Sequence, residues 1–150
     1  MLQLNISICC AMSVEGMVEY QTQAFALNVE SFISFLRSFF QKLQSNNINN
    51  AIFIMDNVPF HTNQQVKNFI LERGYQYDYL PPYSQFLNQI KNLFCKWKDY
   101  TKELNPNNEA ELIAGIENGR ELITRSDCEG YFRNMTRYIS RSISGEVIDN

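Results

Sequence analysis

The chain has 150 residues, of which 45% are hydrophobic and 19% are charged, and its formal net charge is −3. This length and composition predict one globular domain and exclude a disordered tail. The negative net charge excludes strong, non-specific nucleic-acid binding by the whole surface, although a local basic face is compatible with it.

Cysteine and histidine usage argues against a structural zinc site and against a disulfide framework. The one histidine is His61, and no Cys-x-x-Cys pair occurs among the four cysteines, Cys9, Cys10, Cys95 and Cys128. We therefore expect reduced, buried thiols in an intracellular protein. No apolar run reaches the roughly 18 residues of a membrane span, and the N-terminus does not resemble a signal peptide.

The first part of the chain predicts a strand pair followed by a helix. Residues 4–12 form a short apolar run, and residues 17–22 alternate in polarity after a turn that contains glycine. Apolar residues then recur at helical spacing across residues 29–43, with Asn28 as the N-cap.

The middle of the chain predicts a strand, a helix and another strand. Residues 51–55 read Ala-Ile-Phe-Ile-Met, which is typical of a buried central strand, and Asp56 follows at its carboxyl end. A capping box of Thr62 with Gln65 predicts a helix that ends at Gly74. Residues 75–80 are then β-prone, and two prolines end this strand.

The last part of the chain predicts three helices, over residues 86–102, 108–124 and 126–143. The second and third each begin with a capping box, Asn108 with Glu111 and Ser126 with Glu129. The complete order is ββαβαβααα. Strands that alternate with helices predict an α/β sandwich.

Two segments carry the functional interpretation. Residues 56–61 read Asp-Asn-Val-Pro-Phe-His, and residues 80–92 read Leu-Pro-Pro-Tyr-Ser-Gln-Phe-Leu-Asn-Gln-Ile-Lys-Asn. They resemble the mariner-like branch of the DDE transposases, which shows Asp-Asn-x-x-x-His after a strand and later Leu-Pro-x-Tyr-Ser-Pro-x-Leu-Asn-Pro-Ile-Glu-Asn. The 34 residues between Asp56 and Lys91 match the spacing of that family. Weaker similarity at residues 13–16, 32–40 and 127–133 extends the resemblance over nearly the whole chain.

The resemblance implies a ribonuclease-H-like α/β fold, in which a mixed sheet is flanked by helices, with the first strand missing and extra C-terminal helices. It divides the chain into a truncated catalytic core, residues 1–104, and a C-terminal helical extension of the same domain, residues 105–150. The implied activity is metal-dependent cleavage and transfer of DNA strands, with Mg²⁺ or Mn²⁺ as the cofactor. In two-metal catalysis, carboxylates hold two ions that clamp the attacking and leaving oxygens of a phosphodiester.

The departures from the family pattern predict that catalysis is lost. Gln85 and Gln89 replace two prolines, and Lys91 replaces the catalytic Glu. The first catalytic Asp of the family has no counterpart here. At a separation of ~4 Å and an effective dielectric constant of 20, a lysine repels a unit positive charge by about 4 kcal/mol, and a divalent ion by about twice that. We therefore expect any divalent ion to be bound weakly.

The resemblance also assigns roles to individual residues. Asp56 is the second acid of the triad and a metal ligand, and Lys91 occupies the position of the third acid. Five residues lie beside the site: Asn57, His61, Tyr83, Ser84 and Asn88. Two basic stripes at helical spacing are candidates for phosphate contacts: Lys98 and Lys102 with Lys91, and Arg133, Arg137 and Arg141.

Simpler interpretations stand beside these. Asp56 could be a strand-end or capping aspartate, His61 a loop or cap histidine, and the Pro-Pro-Tyr-Ser segment a rigid turn. The basic stripes could be ordinary solvated helix faces. For the whole chain, the alternatives to an inactive transposase domain are a domesticated, non-catalytic DNA- or protein-binding module and a decayed reading frame. We expect DNA as a weak partner, a homo-oligomer or full-length transposase as a protein partner, no membrane, no small-molecule substrate, and a nuclear or otherwise intracellular location.

Overall fold

The computed structural model describes residues 5–82, 84 and 87–143, with side chains up to residue 140. The described chain divides into two compact units. One unit contains Ser7–Cys9 and Glu19–Ser84, and the other contains Cys10–Val18 and the chain beyond Ser84. Within the described residues, no helix is long and apolar enough to cross a membrane.

The part of the chain that the structure describes contains four strands, which form two pairs. β1 (Ser7–Ser13) and β2 (Gly16–Gln23) pair as a hairpin, because only two residues connect them. Gly16 begins the return strand with a φ of +139°, which a residue with a side chain rarely adopts. β3 (Ile52–Met55) and β4 (Gln76–Tyr79) pair in parallel, with Ile52 beside Gln76 and Met55 beside Tyr79. All four predicted strands are present. The predicted burial of β3 as a central strand was wrong for the described residues, because β3 pairs there only with β4 and its Ile52 and Ile54 side chains are exposed.

Three helices belong with β3 and β4: α1 (Val29–Ser45), the short α2 (Pro59–Thr62) and α3 (Gln64–Glu72). Asn28 caps α1 as predicted, since its side chain accepts from the Ser31 amide at 2.9 Å. The aromatic face of α1 packs on both later elements. The Phe40 ring lies 5.3 Å from Phe53 of β3 and 5.5 Å from Phe69 of α3. Burial of this face contributes hydrophobic stabilisation to the unit.

The second unit contains three helices, α4 (Ile90–Glu103), α5 (Glu109–Arg120) and α6 (Arg125–Ile143). Trp97 of α4 is 2% exposed, and its indole N–H donates to the Ile116 carbonyl of α5 at 2.7 Å. Buried indole N–H groups need such an acceptor. This hydrogen bond therefore fixes how α5 lies against α4.

Three of the predicted helix starts were wrong, by one to four residues. α4 begins at Ile90 rather than at residue 86, which lies outside the described residues. The cap of α3 is Asn63 rather than Thr62, because Thr62 already ends the separate helix α2. α6 begins two residues earlier than predicted. Its capping box joins Thr124 to Asp127, which exchange hydrogen bonds of 2.9 and 3.1 Å. Aspartate at the third helical position fills the role that we assigned to Glu129. The α5 cap, Asn108, is as predicted.

The thiols are also less uniform than expected. No disulfide joins the four cysteines, but only Cys9 and Cys128 are buried, while Cys10 is half-buried and Cys95 is exposed. Burial raises the pKa of the Cys128 thiol, and a thiol with a raised pKa carries little of the reactive thiolate. Cys95 lies on the exposed side of α4, where the amphipathic pattern of this helix is interrupted.

The contact between α4 and α5 depends on a glycine. A Cβ atom added at Gly119 would lie 2.7 Å from Cδ1 of Trp97 and 2.9 Å from Cδ1 of Tyr100. Both atoms belong to rigid aromatic rings, so neither can move aside cheaply. Gly130 of α6 lies in open surroundings, where the same atom would meet only the Arg133 guanidinium at 3.6 Å.

We predict that Gly119→Ala destabilises the chain by about 1–2 kcal/mol. The substitution gains about 1 kcal/mol in helix propensity, but overpacking costs about 1–3 kcal/mol and displaces the indole hydrogen bond. Urea unfolding followed by circular dichroism measures the difference. Gly130→Ala is the matched control and should stabilise the chain by up to about 1 kcal/mol. Equal effects of the two substitutions would contradict this account of the α4–α5 contact.

An ion pair joins α4 to α6. Lys96 Nζ lies 2.6 Å from Asp127 Oδ2, the same carboxylate that completes the α6 capping box. The hydrogen bond from Lys96, followed by those from Thr124, holds the pKa of Asp127 below its ordinary value. One carboxylate therefore both begins α6 and attaches it to α4.

We predict that Asp127→Asn lowers the free energy of unfolding by ~1 kcal/mol or less at neutral pH, because the Lys96 side chain is 42% exposed and solvent screens the pair. The folded-state pKa of Asp127 lies below its unfolded value. The difference should therefore be complete above the unfolded pKa and should disappear as pH falls through the lowered folded pKa. Urea unfolding over a pH series tests this. Glu129→Gln, which breaks the more exposed Arg125–Glu129 pair, is the control and should have a smaller effect. A pH-independent effect of Asp127→Asn on the free energy of unfolding would refute the lowered folded-state pKa of Asp127.

Candidate functional site

The candidate site is built where β3 and β4 end. The two strands are parallel, so their carboxyl ends lie at the same edge of the sheet, and the Leu80 amide continues the ladder by donating to the Met55 carbonyl at 2.8 Å. Asp56 and Asn57 follow β3 directly. The Asn57 side-chain amide donates to the Leu80 carbonyl, 23 positions along the chain. The first motif is therefore bonded to the first residue of the second.

Asp56 and His61 form a carboxylate–imidazole pair across the turn into α2. His61 Nδ1 lies 2.7 Å from Asp56 Oδ1 and 3.2 Å from the Asp56 carbonyl oxygen. The imidazole is 18% exposed and the carboxylate 35% exposed. Both acceptors are oxygens without a proton, so Nδ1 carries the proton and donates to them. A neutral His61 then has its lone pair on Nε2.

Packing and one further hydrogen bond hold the imidazole in place. Its ring lies 4.6 Å from the Phe32 ring of α1 and 4.5 Å from the Phe60 ring. The Tyr79 hydroxyl donates to the His61 carbonyl at 2.8 Å. Burial, followed by the neighbouring Tyr77, raises the pKa of Tyr79, so this hydroxyl keeps its proton and remains a donor. Residues of α1, α2 and β4 thus hold His61 in place, and His61 in turn orients the Asp56 carboxylate.

Sequence reasoning missed Tyr79 as a residue of the site. Side chains alternate along a strand, so Tyr77 and Tyr79, which are two positions apart and share the same parity, lie on one face of β4. They pair with Phe53 and Met55 of β3, and this alternation was the available signal in the sequence. Such parity places a side chain on a face but does not reveal its hydrogen bond. The packing of Phe32 and Phe60 on His61 was likewise not predicted.

The described residues do not form a two-metal site. Within them, no group of three His, Cys, Asp or Glu side chains is arranged to hold a metal ion. Asp56 offers one carboxylate, and His61 already occupies Oδ1. Mg²⁺ prefers several hard oxygen ligands in octahedral geometry, and one available carboxylate oxygen does not supply them. The donor set of this part of the chain therefore does not fit a tightly held Mg²⁺ ion.

The second motif leads into α4. Ser84 donates from its hydroxyl to the Pro82 carbonyl at 3.4 Å, and Tyr83 lies outside the described residues. The Asn88 carbonyl accepts from the amide of Lys91, which is half-buried in the first turn of α4. Lys91 and Asp56 belong to different compact units, so their proximity stays a prediction.

The basic stripes lie on α4 and α6. Lys98 and Lys102 are exposed on α4, and Arg133 and Arg137 are exposed on α6. The Arg137 guanidinium donates to the Asn134 side chain at 2.8 Å. The Arg141 side chain lies outside the described residues. Exposure leaves the four described cations accessible to a ligand, and their phosphate contacts stay predictions.

Comparison with solved structures defines the class of fold. The chain superposes on the catalytic domain of Mos1 mariner transposase with a TM-score of 0.80, covering 95% of this chain and 75% of that one at 14% identity. The match to the Mos1 catalytic domain with raltegravir and Mg has the same TM-score, 16% identity and coverages of 95% and 76%. The Mos1 paired-end complex with left transposon end matches with a TM-score of 0.54 and 19% identity, over 82% of this chain and 42% of that one. The predicted ribonuclease-H-like α/β fold is confirmed.

Comparison of the sequence then gives the family. A family model described as DDE superfamily endonuclease matches residues 3–113. No curated protein matches the chain. The chain belongs to the DDE superfamily endonuclease family, which confirms the family predicted from the two motifs.

Proposed function

We propose that this chain is a mariner-like transposase catalytic domain that keeps the scaffold for DNA strand cleavage and transfer but has lost the chemistry. The observation that carries the proposal is Asp56. Its carboxylate stands at the carboxyl end of β3 and is oriented by His61, yet among the described residues it belongs to no group of three His, Cys, Asp or Glu side chains that could hold a metal ion. Lys91 replaces the third acid of the motif.

Solved structures of Mos1 support the type of cofactor and partner. Mos1 catalytic-domain structures are described with Mg and with Mn, and other Mos1 structures are a paired-end complex with a transposon end and a strand transfer complex. When bound, such an ion would stabilise negative charge on the oxygens of a phosphodiester. In this chain, Asp56 is the one residue that we assign to it. We expect only weak binding, and no step of catalysis is assigned to the chain.

The residues that remain can hold and orient but cannot cleave. Asp56 accepts a hydrogen bond from His61 Nδ1 at Oδ1, and its Oδ2 has no partner among the described residues. Lys98, Lys102, Arg133 and Arg137 can contact phosphates, since each is exposed. We therefore propose that this scaffold binds DNA weakly and without sequence preference, in the nucleus or elsewhere in the cell. The alternative, a domesticated module without catalysis, rests on these same cations.

We predict no nicking of supercoiled plasmid by the purified chain with Mg²⁺ or Mn²⁺, because too few carboxylates hold the ions. Agarose gel electrophoresis measures conversion to the open circle. Asp56→Ala is the control for contaminating nuclease and should give the same background. Nicking above that background would refute the loss of activity.

Binding distinguishes the alternative function. Fluorescence anisotropy over a salt series, with metal chelated, should show weak binding. The logarithm of the association constant should fall linearly with the logarithm of the salt concentration. Replacing Lys98 and Lys102 with Ala should reduce the slope by about 2, whereas replacing Arg37 and Lys42 of α1 removes the same charge and should not. Nanomolar, sequence-specific binding at about 150 mM salt would favour the domesticated module.

We further predict that Lys91 lies close to Asp56 and partly neutralises it. An ammonium group that replaces a lost metal ion would form a partly exposed ion pair worth ~1 kcal/mol or less. Zero-length carbodiimide coupling, followed by peptide mass spectrometry, should join the two side chains. Lys96 and Asp127, 2.6 Å apart, are an internal positive control. Coupling of the control pair alone would end this prediction.

A second test of the same pair uses metal affinity. Lys91→Glu exchanges a repelling charge for a ligand, so Mn²⁺ affinity measured by calorimetry should rise. The rise should vanish in the double variant that also carries Asp56→Ala. An unchanged affinity in Lys91→Glu would contradict the placement of Lys91 beside Asp56.

A further inference from the structure

Lys67 is a cation at the same edge of the sheet as Asp56. α2 and α3 follow β3, and Lys67 is the fourth residue of α3. The Lys67 ammonium lies 5.7 Å from the centre of the Tyr79 ring, at the carboxyl end of β4. The Tyr79 hydroxyl in turn donates to the His61 carbonyl. Lys67 therefore lies beside the residues that hold the Asp56–His61 pair in place.

Local structure does not account for the positive charge of Lys67. Among the residues whose side chains the structure describes, no carboxylate lies within ion-pair distance of its ammonium group. α3 has no acidic residue in its first turn, and the amino end of a helix already carries a partial positive charge, which a nearby cation opposes. The Tyr79 ring attracts the ammonium but does not neutralise it. An anion from outside the chain would be stabilised by both positive charges.

Lys42 shows the ordinary arrangement of a lysine on a helix in the same compact unit. It lies in the last turn of α1, where a cation stabilises the helix dipole. Like Lys67, it is half-buried. It lies at the opposite edge of the sheet, because the Tyr75 hydroxyl, just before β4, donates at 3.0 Å to the carbonyl of Ile48, just after α1. Lys42 is therefore a matched control for Lys67.

We propose that Lys67 binds a backbone phosphate of DNA at the edge of the sheet where Asp56 stands. The Asp56 carboxylate repels a phosphodiester that approaches it. Because the described donor set does not fit a tightly held Mg²⁺ ion, the charge that offsets this repulsion must come from the chain. Lys67 supplies it through an ammonium group with three N–H donors. This contact rests on the proposed function, since DNA binding is part of that function, and the basic stripes do not include Lys67.

Acetylation of the lysines by an N-hydroxysuccinimide ester, followed by peptide mass spectrometry, tests the contact. The chain is treated at low salt with and without a DNA duplex whose Kd is measured by fluorescence anisotropy. At a free DNA concentration about twice the Kd, acetylation of Lys67 should slow by about threefold, the factor 1 + [DNA]/Kd. Acetylation of Lys42 should not change. Inorganic phosphate at the same ionic strength should protect neither lysine, because one ammonium group does not hold a small free anion.

Substitutions give an independent measurement of the same contact. Lys67→Gln should reduce the slope of the logarithm of the association constant against the logarithm of salt concentration by about 1. Lys67→Arg keeps the charge and should keep the slope, and Lys42→Gln should leave it unchanged.

The outcomes separate this contact from the proposed function. Protection of Lys98 and Lys102 without protection of Lys67 would overturn the contact and leave the proposed function intact, whereas a chain that binds no DNA would overturn both. Equal protection of Lys67 by inorganic phosphate would overturn the assignment to DNA. An unchanged slope in Lys67→Gln would also overturn the contact, because protection would then be indirect.

Discussion

The parallel pairing of β3 with β4 is the constraint on which the candidate site depends. Parallel strands cannot be joined by a tight turn, so the chain must cross over, and α2 and α3 form that crossover. The crossover is stable only because its apolar side packs on the aromatic face of α1. Once the strands are paired, residues 56–61 and residue 80 meet at one edge of the sheet. The Asn57–Leu80 and Tyr79–His61 hydrogen bonds follow from that meeting.

The sequence predicted the elements well because each has a strong local period. The aromatic spacing of α1 and the apolar run of β3 gave their positions to within about two residues. Helix starts were harder where two capping residues stood close together, as at Thr62 and Asn63, because either could accept the first amides. The Thr124–Asp127 box was not predicted because Glu or Gln is the usual residue at the third helical position, and Asp serves equally well at this cap.

The site was predicted less completely than the fold. The motifs identified Asp56 and His61, but the contact between them depends on the turn at Val58 and Pro59, which no period reveals. Tyr79 acts through a hydrogen bond to a residue 18 positions earlier, and such bonds leave no local pattern. The resemblance to a family identified which residues belong to the site. The structure then indicated the tautomer of His61 and showed which Asp56 oxygen accepts its hydrogen bond.

The single tryptophan has a consequence for how this chain can be observed. Trp97 lies buried against α5 in one compact unit, while the clustered phenylalanines lie in the other. Intrinsic fluorescence excited at the indole band therefore reports one unit alone, whereas far-ultraviolet dichroism reports both. Unfolding curves from the two signals would coincide if the units melt cooperatively and would separate if they do not. The chain thus carries a built-in optical probe of the coupling between its two halves.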